Sequence, residues 1–328
     1  MAAPPVPPWR FAVAPMMDRT DRHFRWFFRQ LSRGALLYTP MVAAAAIVAG
    51  RAGAALAYDA IEQPLALQLG GNDPRLLAAA ARAGADAGFV EIDLNCGCPS
   101  PAAAHSQWGA RLMDQPQRVA ECVAAMVASC GVDVTVKHRL GIAGRDDTAS
   151  LHAFVDAVHA AGAARVIVHA RAAVLGGLGP AANRRVPPLR AAEVHALARA
   201  RPQLPILYNG GVRSLAEACA HLSGPDATAG VMVGRAAYDD PWAFRELDRV
   251  VFAREPPAGD RAEVARAVIE RARAWQRDGG DPHAVTRHCL GLWHGVPGAR
   301  RARATVAALA LRPGFDAIAD AVAVLREP

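Results

Sequence analysis

The thiol at position 98 is the side chain best placed to do chemistry. Cys98 lies in the run Glu91-Ile92-Asp93-Leu94-Asn95-Cys96-Gly97-Cys98-Pro99-Ser100. A cysteine can serve as a general acid, a nucleophile or a metal ligand. Val90 to Leu94 alternate apolar and acidic residues with the period of a strand. Gly97 and Pro99 break regular structure. The spacing therefore predicts a stiff loop at the C-terminal end of a strand, with Cys98 on it and Asn95 beside it. An isolated cysteine is more often a small apolar core residue; the loop position sets this one apart.

Lys137 is the second candidate. Lys and Arg total 37, and Lys137 is the one lysine, so 36 are arginines. Ala, Gly and Pro are also plentiful, which points to a GC-rich coding bias that converts lysines to arginines. A position that stays lysine under that pressure needs a compact ammonium that a planar guanidinium cannot imitate. His169, Asn209 and Arg235 also end apolar runs. Asn209-Gly210-Gly211 and Gly234-Arg235 can bring backbone N–H groups close to an anion. Gln68 stands near the end of Pro64 to Gly70.

These residues need a frame, and the chain supplies eight short apolar segments. Phe11 to Met16, Leu36 to Val42, Pro64 to Gly70, a segment ending at Asn95, Val132 to Leu140, Arg165 to His169, Pro205 to Asn209 and Gly230 to Arg235 read as strands. Helices are expected between them, capped at Thr20 or Asp21, and over about Pro74–Ala85, Met113–Ser129 and Thr148–Ala161. Eight alternating strands and helices predict an α/β fold, a (β/α)8 TIM barrel over residues 1–250. Cys98, Lys137, His169, Asn209 and Arg235 then fall on the rim formed by strand C-termini, which is the active face of such barrels.

The pattern changes after Pro241. Asp260 to Gln276 and Pro282 to Trp293 read as helices. A loop, His294 to Gly298, leads to a last helical region that opens with Arg300, Arg301 and Arg303. Residues 251–328 are expected to form a C-terminal all-helical domain. The second of these helices carries Arg287, and the basic cluster beside Trp293 suits phosphate contacts and packing on a base or sugar.

Length and composition agree. At 328 residues the chain suits one barrel plus an appendage, and 52% hydrophobic residues can fill a large core. The net charge of +7 favours a polyanionic partner. Six cysteines show no disulfide framework and no zinc spacing, so reduced cytoplasmic thiols are expected, without a metal. No apolar run is long enough to span a bilayer, and Met1 to Pro8 has no secretory character.

The quoted pieces together resemble the tRNA-dihydrouridine synthases. They are Ala14-Pro15-Met16-Met17-Asp18 with Thr20-Asp21-Arg22-His23; Leu67-Gln68-Leu69-Gly70-Gly71; Asn95 to Ser100; Gly109-Ala110 with Leu112-Met113; Val136-Lys137-His138-Arg139; His169-Ala170-Arg171; Asn209-Gly210-Gly211; and Val233-Gly234-Arg235. Thr286-Arg287-His288, Gly295 to Arg300 and Asn183-Arg184 before Pro187-Pro188-Leu189 resemble the A-type bacterial subgroup, which reduces uridines 20 and 20a of the tRNA D-loop.

The resemblance implies an FMN barrel with a helical tRNA-binding domain, NADPH as reductant and a monomer. It implies flavin contacts from Pro15, Met16, Met17, Gln68, Lys137, His169, Asn209, Gly210, Gly211, Gly234 and Arg235. Cys98 would be the proton donor, and Asn95 and Arg171 would hold the target uracil. Arg139, Asn183, Arg184, Arg287, Arg300 and Arg301 are grouped with substrate and tRNA. The chain departs from the family's pattern at Arg19, Pro40, Ala172, Val174 and in the Ala-rich run 101–107.

Elementary chemistry agrees with that set. A free thiol has a pKa near 8.5 and is mostly protonated at neutral pH, as an acid must be. A lysine beside the flavin N1/O2 edge would stabilise its negative charge on reduction. Two other readings fit the residues: an FMN barrel acting on a free pyrimidine, and a tRNA-binding protein without turnover.

Overall fold

The computed structural model describes residues 5–100 and 107–310. The start of the N-terminal tail, most of the Ala-rich run and the end of the C-terminal region lie outside the described residues.

Nine parallel strands form one sheet: β1 Phe11–Val13, β2 Leu37–Tyr38, β3 Val42–Ala43, β4 Leu65–Gly70, β5 Glu91–Cys96, β6 Asp133–Arg139, β7 Arg165–His169, β8 Ile206–Asn209 and β9 Gly230–Val233. Their order is β1-β9-β8-β7-β6-β5-β4-β2, with β3 also on β4. A parallel bridge between Ala12 and Leu36 joins the two ends and closes the barrel. The expected strand Leu36 to Val42 is split into β2 and β3. Pro40 lies in the break, where it has no N–H for the ladder. Thr39 bridges the gap: its N–H donates to Ala66 O at 3.0 Å, and its hydroxyl accepts the Gln68 N–H at 3.1 Å.

Period two sorts each strand into two faces. Ile92, Leu94 and Cys96 of β5, and Val134 and Val136 of β6, join the outer core against the helices. A second apolar cluster of Ala12, Ala14, Leu36, Tyr38, Ala66, Ile167, Leu207 and Met232 fills the barrel interior. The remaining interior positions are polar. Glu91, Asp93, Thr135 and Arg165 are buried there and bonded to one another. Above them Gln68, Asn95, Lys137, His169 and Asn209 reach the C-terminal rim.

Helices wrap the barrel, and several start on side-chain caps. Asp21 Oδ1 accepts the N–H groups of His23 and Phe24 at 3.0 Å, which fixes the start of Arg22–Phe28. Asp73, Asp147 and Ser214 do the same at Pro74, Thr148 and Leu215. Arg29 is fully enclosed and donates to the carbonyls of Glu62, Ser32, Ala35 and Pro64, tying the first helix to the loop before β4.

Helix Leu247–Phe252 still packs on the barrel, with Asp248 accepting from Ser32, Arg33 and Gly34. Ala253, at φ 51°, ends it. The helices that follow are Arg261–Arg277, Pro282–Thr286, a 3-10 turn Arg287–Trp293 and Ala299–Ala310. They seat on the first barrel helix through Asp21, which pairs with Arg287 and His288. Tyr238 bonds the other His288 nitrogen at 3.2 Å. Asp59 pairs with Arg22 and Arg271, and the Trp275 ring meets His23 edge-on.

Candidate active site

The rim is built from strand ends upward. β5 delivers Asn95 inward, and the chain then turns. Asn95 Oδ1 accepts the N–H of Gly97 at 3.1 Å and of Cys98 at 2.9 Å. Cys98 O accepts the Ala110 N–H at 2.9 Å, so the far side of the loop is tied back as well. The thiol is partly accessible and donates to Ser100 Oγ at 3.3 Å. All six cysteines are free.

Two strands away, His169 stands with its Nδ1 buried and unpartnered. Lys137 lies between them on β6 and donates to Asn209 Oδ1 at 3.2 Å. Asn209 is itself fixed by its Nδ2–H to Met232 O at 2.7 Å. Burial lowers the Lys137 ammonium, and the charges of Arg139 and Arg184 lower it further. Burial also drives His169 well below its ordinary value, and the charges of Arg139, Lys137, Arg171 and Arg184 add to the effect. His169 is therefore a neutral imidazole at neutral pH.

Cations dominate the mouth. Arg184 is lowered by burial and then by Arg235 and Arg19. Arg235 donates to Arg184 O at 3.4 Å. Arg171 donates to Pro187 O, pinning the segment that follows β7. Leu189 of that segment lies over Gly210 and Gly211, which have φ of 123° and 76°. A Cβ on Gly211 would come within 2.7 Å of Leu189. Gly234 faces Ala14 and Met16, so the ends of β1 and β9 meet there. Met16 N–H donates to Thr20 Oγ1 at 2.9 Å, and Met17 is 57% exposed.

Some residues sit otherwise than substrate contacts would. Arg139 is buried; its Nε donates to Gly97 O at 2.9 Å and its Nη1 to Ala172 O and Asn183 O at 3.0 Å. Asn183 is fully buried and bonds Val174 and Leu178. Both shape the mouth from within, holding the Cys98 loop to the segment after β7. Arg287 engages Asp21 at the joint with the barrel. Arg300 and Arg301 are exposed. Trp293 corrects the sequence reading, because it is 3% exposed and packs in the helical core, where no base can stack on it. Arg303 likewise turns inward to Leu290 O at 3.0 Å. Of the departures, Arg19 pairs with Asp239 at 2.8 Å over the Tyr238 ring, and Ala172 is buried.

Sequence reasoning missed Trp108. Its ring rests on Gly70 at the C-terminal end of β4, where a Cβ would lie 2.3 Å from it. No local pattern marks it. It also missed Tyr38, Thr135 and Arg165 inside the barrel, although the alternation of β5 already put Glu91, Asp93 and Asn95 on one face.

The fold defines a (β/α)8 barrel, with Cys98, Lys137, His169 and Asn209 at its C-terminal rim. The family model for dihydrouridine synthase (Dus) matches residues 12–326, and the chain belongs to that family. A tRNA-dihydrouridine(20/20a) synthase of Xanthomonas campestris pv. campestris is 48% identical over 305 residues, covering 93% of this chain and 90% of that protein. One from Pseudomonas aeruginosa is 50% identical over 298 residues, 90% and 88% of the two chains. One from Synechocystis sp. is 47% identical over 295 residues, 90% and 87%. Among solved structures, a 2-naphthoyl-CoA reductase complex superposes with a TM-score of 0.54 at 11% identity, over 73% of this chain and 49% of that one. That likeness concerns the fold.

Family membership brings a flavin with it, and the residues fit one. The unpartnered His169 Nδ1 wants a polar partner, and the Lys137 ammonium suits an anionic ring edge. The Gly210-Gly211 turn and the cationic mouth suit a phosphate tail. No helix among the described residues is long and apolar enough to cross a membrane.

Proposed function

We propose that this protein reduces uridines 20 and 20a in the D-loop of tRNA to 5,6-dihydrouridine, with FMN as cofactor and NADPH as reductant, in the cytoplasm. The observation that carries the reading is the Cys98 thiol, on a partly accessible rim loop held by Asn95 and beside Ser100 Oγ. When bound, the flavin supplies hydride to uracil C6. Saturating the C5–C6 double bond then requires one proton at C5. Cys98 Sγ–H delivers it and is reprotonated from solvent. Asn95 and Arg171 orient the uracil. Lys137 would offer its positive charge to the bound cofactor, and neutral His169 would offer it a hydrogen bond. The buried Arg139 ties the thiol loop to the segment after β7, so the acid stays in register.

The uridine must leave its stack to reach the rim, at a cost of a few kcal/mol. Phosphate contacts from Arg184, Arg300 and Arg301 offset that cost. The helical region from residue 251 onward serves as the second tRNA-binding domain. Mapping dihydrouridine in tRNA from cells lacking the gene tests the reading, alongside the visible spectrum of the purified protein. Expected are loss at positions 20 and 20a and a yellow flavoprotein. Unaltered modification at both positions would refute it.

A further inference from the structure

A line of buried side chains connects the barrel floor to the Cys98 loop: Arg165, Glu91, Thr135, Asp93, Gln68 and Asn95. Their hydrogens can be counted. Arg165 has only hydrogens to give and pairs with Glu91 Oε2 and Asp133 Oδ2, so both of those oxygens are acceptors. Glu91 Oε1 accepts from the Tyr38 hydroxyl. Thr135 owns one hydroxyl hydrogen, yet its oxygen lies 2.8 Å from Glu91 Oε1 and 3.1 Å from Asp93 Oδ1. One hydrogen cannot fill both contacts. Given to the nearer Glu91, the partner of the Arg165 guanidinium, it leaves a Thr135 lone pair facing Asp93 Oδ1. Two bare oxygens in a dry interior repel. A proton on Asp93 Oδ1 removes the conflict by donating to Thr135.

The line keeps one direction above Asp93. Gln68 Nε2–H donates to Asp93 Oδ2 at 2.6 Å, and Asn95 Nδ2–H donates to Gln68 Oε1 at 2.9 Å. Asn95 Oδ1 is thereby left to accept the N–H groups of Gly97 and Cys98. A side-chain amide can be turned over with little steric change. Turning Gln68 over would oblige Asn95 to follow. Its NH2 would then oppose two loop N–H groups.

We propose that Asp93 is kept as a neutral carboxylic acid and acts as a positioning residue, whose hydroxyl engages Thr135 and whose carbonyl oxygen fixes the facing of the Gln68 and Asn95 amides that hold the Cys98 loop. The ionisable groups around it are Glu91, Lys137, Tyr38 and Cys96. No ion pair joins Lys137 to Asp93 among the described residues, and the Lys137 ammonium engages Asn209. Burial raises the Asp93 carboxyl, with the Gln68 bond and the Lys137 charge opposing and the Glu91 charge adding.

The effect on turnover rests on the function proposed above; the hold on the loop does not. The test uses the full chain with flavin bound, at pH 7, as parent, Asp93→Asn, Asp93→Leu and Gln68→Met. Asparagine reproduces a neutral acid, with its NH2 toward Thr135 and its oxygen toward Gln68. Leucine has similar volume and offers neither. A carboxylic-acid C=O infrared band should be present in the parent and absent from Asp93→Asn. Amide exchange at Gly97 and Cys98 should stay near the parent rate in Asp93→Asn and rise about tenfold in Asp93→Leu, the loss of roughly one hydrogen bond. Gln68→Met cuts the line one residue higher and should raise the same two rates whatever leucine does to folding. In Asp93→Leu the kcat for tRNA should fall about tenfold with KM near the parent value. A missing acid band, an asparagine variant that exchanges as fast as the leucine variant, or unchanged exchange in Gln68→Met would each overturn the proposal. Exchange that behaves as expected in a parent that forms no dihydrouridine would overturn the function alone.

Discussion

Cys98 and Lys137 illustrate how much a single residue type can carry. The thiol is accessible and fixed at both ends of its turn, so removing it should disturb little else. Cys98→Ala is expected to retain flavin and to bind tRNA, while turnover falls by a factor of about 10² or more, the range for losing a general acid. Single-turnover reduction of tRNA measures this, and undiminished turnover would leave the thiol without a role. Lys137 reaches Asn209 in a crowded rim near Arg139 and Arg184. A guanidinium there is wider and cannot shed its proton. Lys137→Arg should weaken flavin binding and slow flavin reduction, both followed by absorbance titration. Equal affinity and rate in the variant would remove the reason for this position's being lysine.

At the scale of elements, loops decide the rim. The β5 loop is held by Asn95, Arg139 and Ala110, and the neighbouring wall by Trp108 on Gly70. Gly70→Ala puts a Cβ 2.3 Å from the indole, so the ring must move. A loss of about 1–3 kcal/mol in stability is expected, as for other overpacked sites. Denaturant unfolding measures it, and a midpoint equal to the parent's would mean that the ring yields freely. The pieces after β7 and β8 are tied the same way. Asn183 closes the first by three bonds to its own backbone, and Leu189 lies on the glycine pair of the second.

The whole molecule joins a barrel to helices through charged and aromatic contacts, and its stability should depend on pH. Burial lowers His23, at the joint, and His138, behind the barrel wall, to about 4 each. Unfolded histidines titrate near 6.5. Between about 6.5 and 4 the unfolded chain therefore binds protons that the native one refuses, and stability falls as pH falls. The slope is roughly 1.4 kcal/mol per pH unit for each histidine. Thermal unfolding followed from pH 7 to pH 4 should show it, and a flat midpoint would exclude neutral buried histidines. The net charge of +7 and the exposed Arg300 and Arg301 give a second property of the whole. tRNA affinity should fall steeply with salt, and Arg300→Ala with Arg301→Ala should flatten the slope by about 1 per lost contact. Titrations at several salt concentrations measure the change, and an unaltered slope would place these arginines away from the phosphates.

What the sequence determined by itself was everything that period and residue type carry locally. Apolar runs of strand length, broken by Gly and Pro and separated by helical segments, were enough for the barrel, and strand ends were enough to put Cys98, Lys137, His169 and Asn209 on one rim. Where Pro40 cuts a strand in two was also written there, though a continuous run reads more simply. Tertiary structure alone decided which polar groups face outward. Arg139 and Asn183 look like surface contacts in the sequence, but strand pairing and loop closure bring carbonyls to them and bury them. Trp293 and Arg303 turn inward because the helical region must fill its own core. The line from Arg165 to Cys98 exists only because parallel register sets β4, β5, β6 and β7 side by side, which no local spacing encodes.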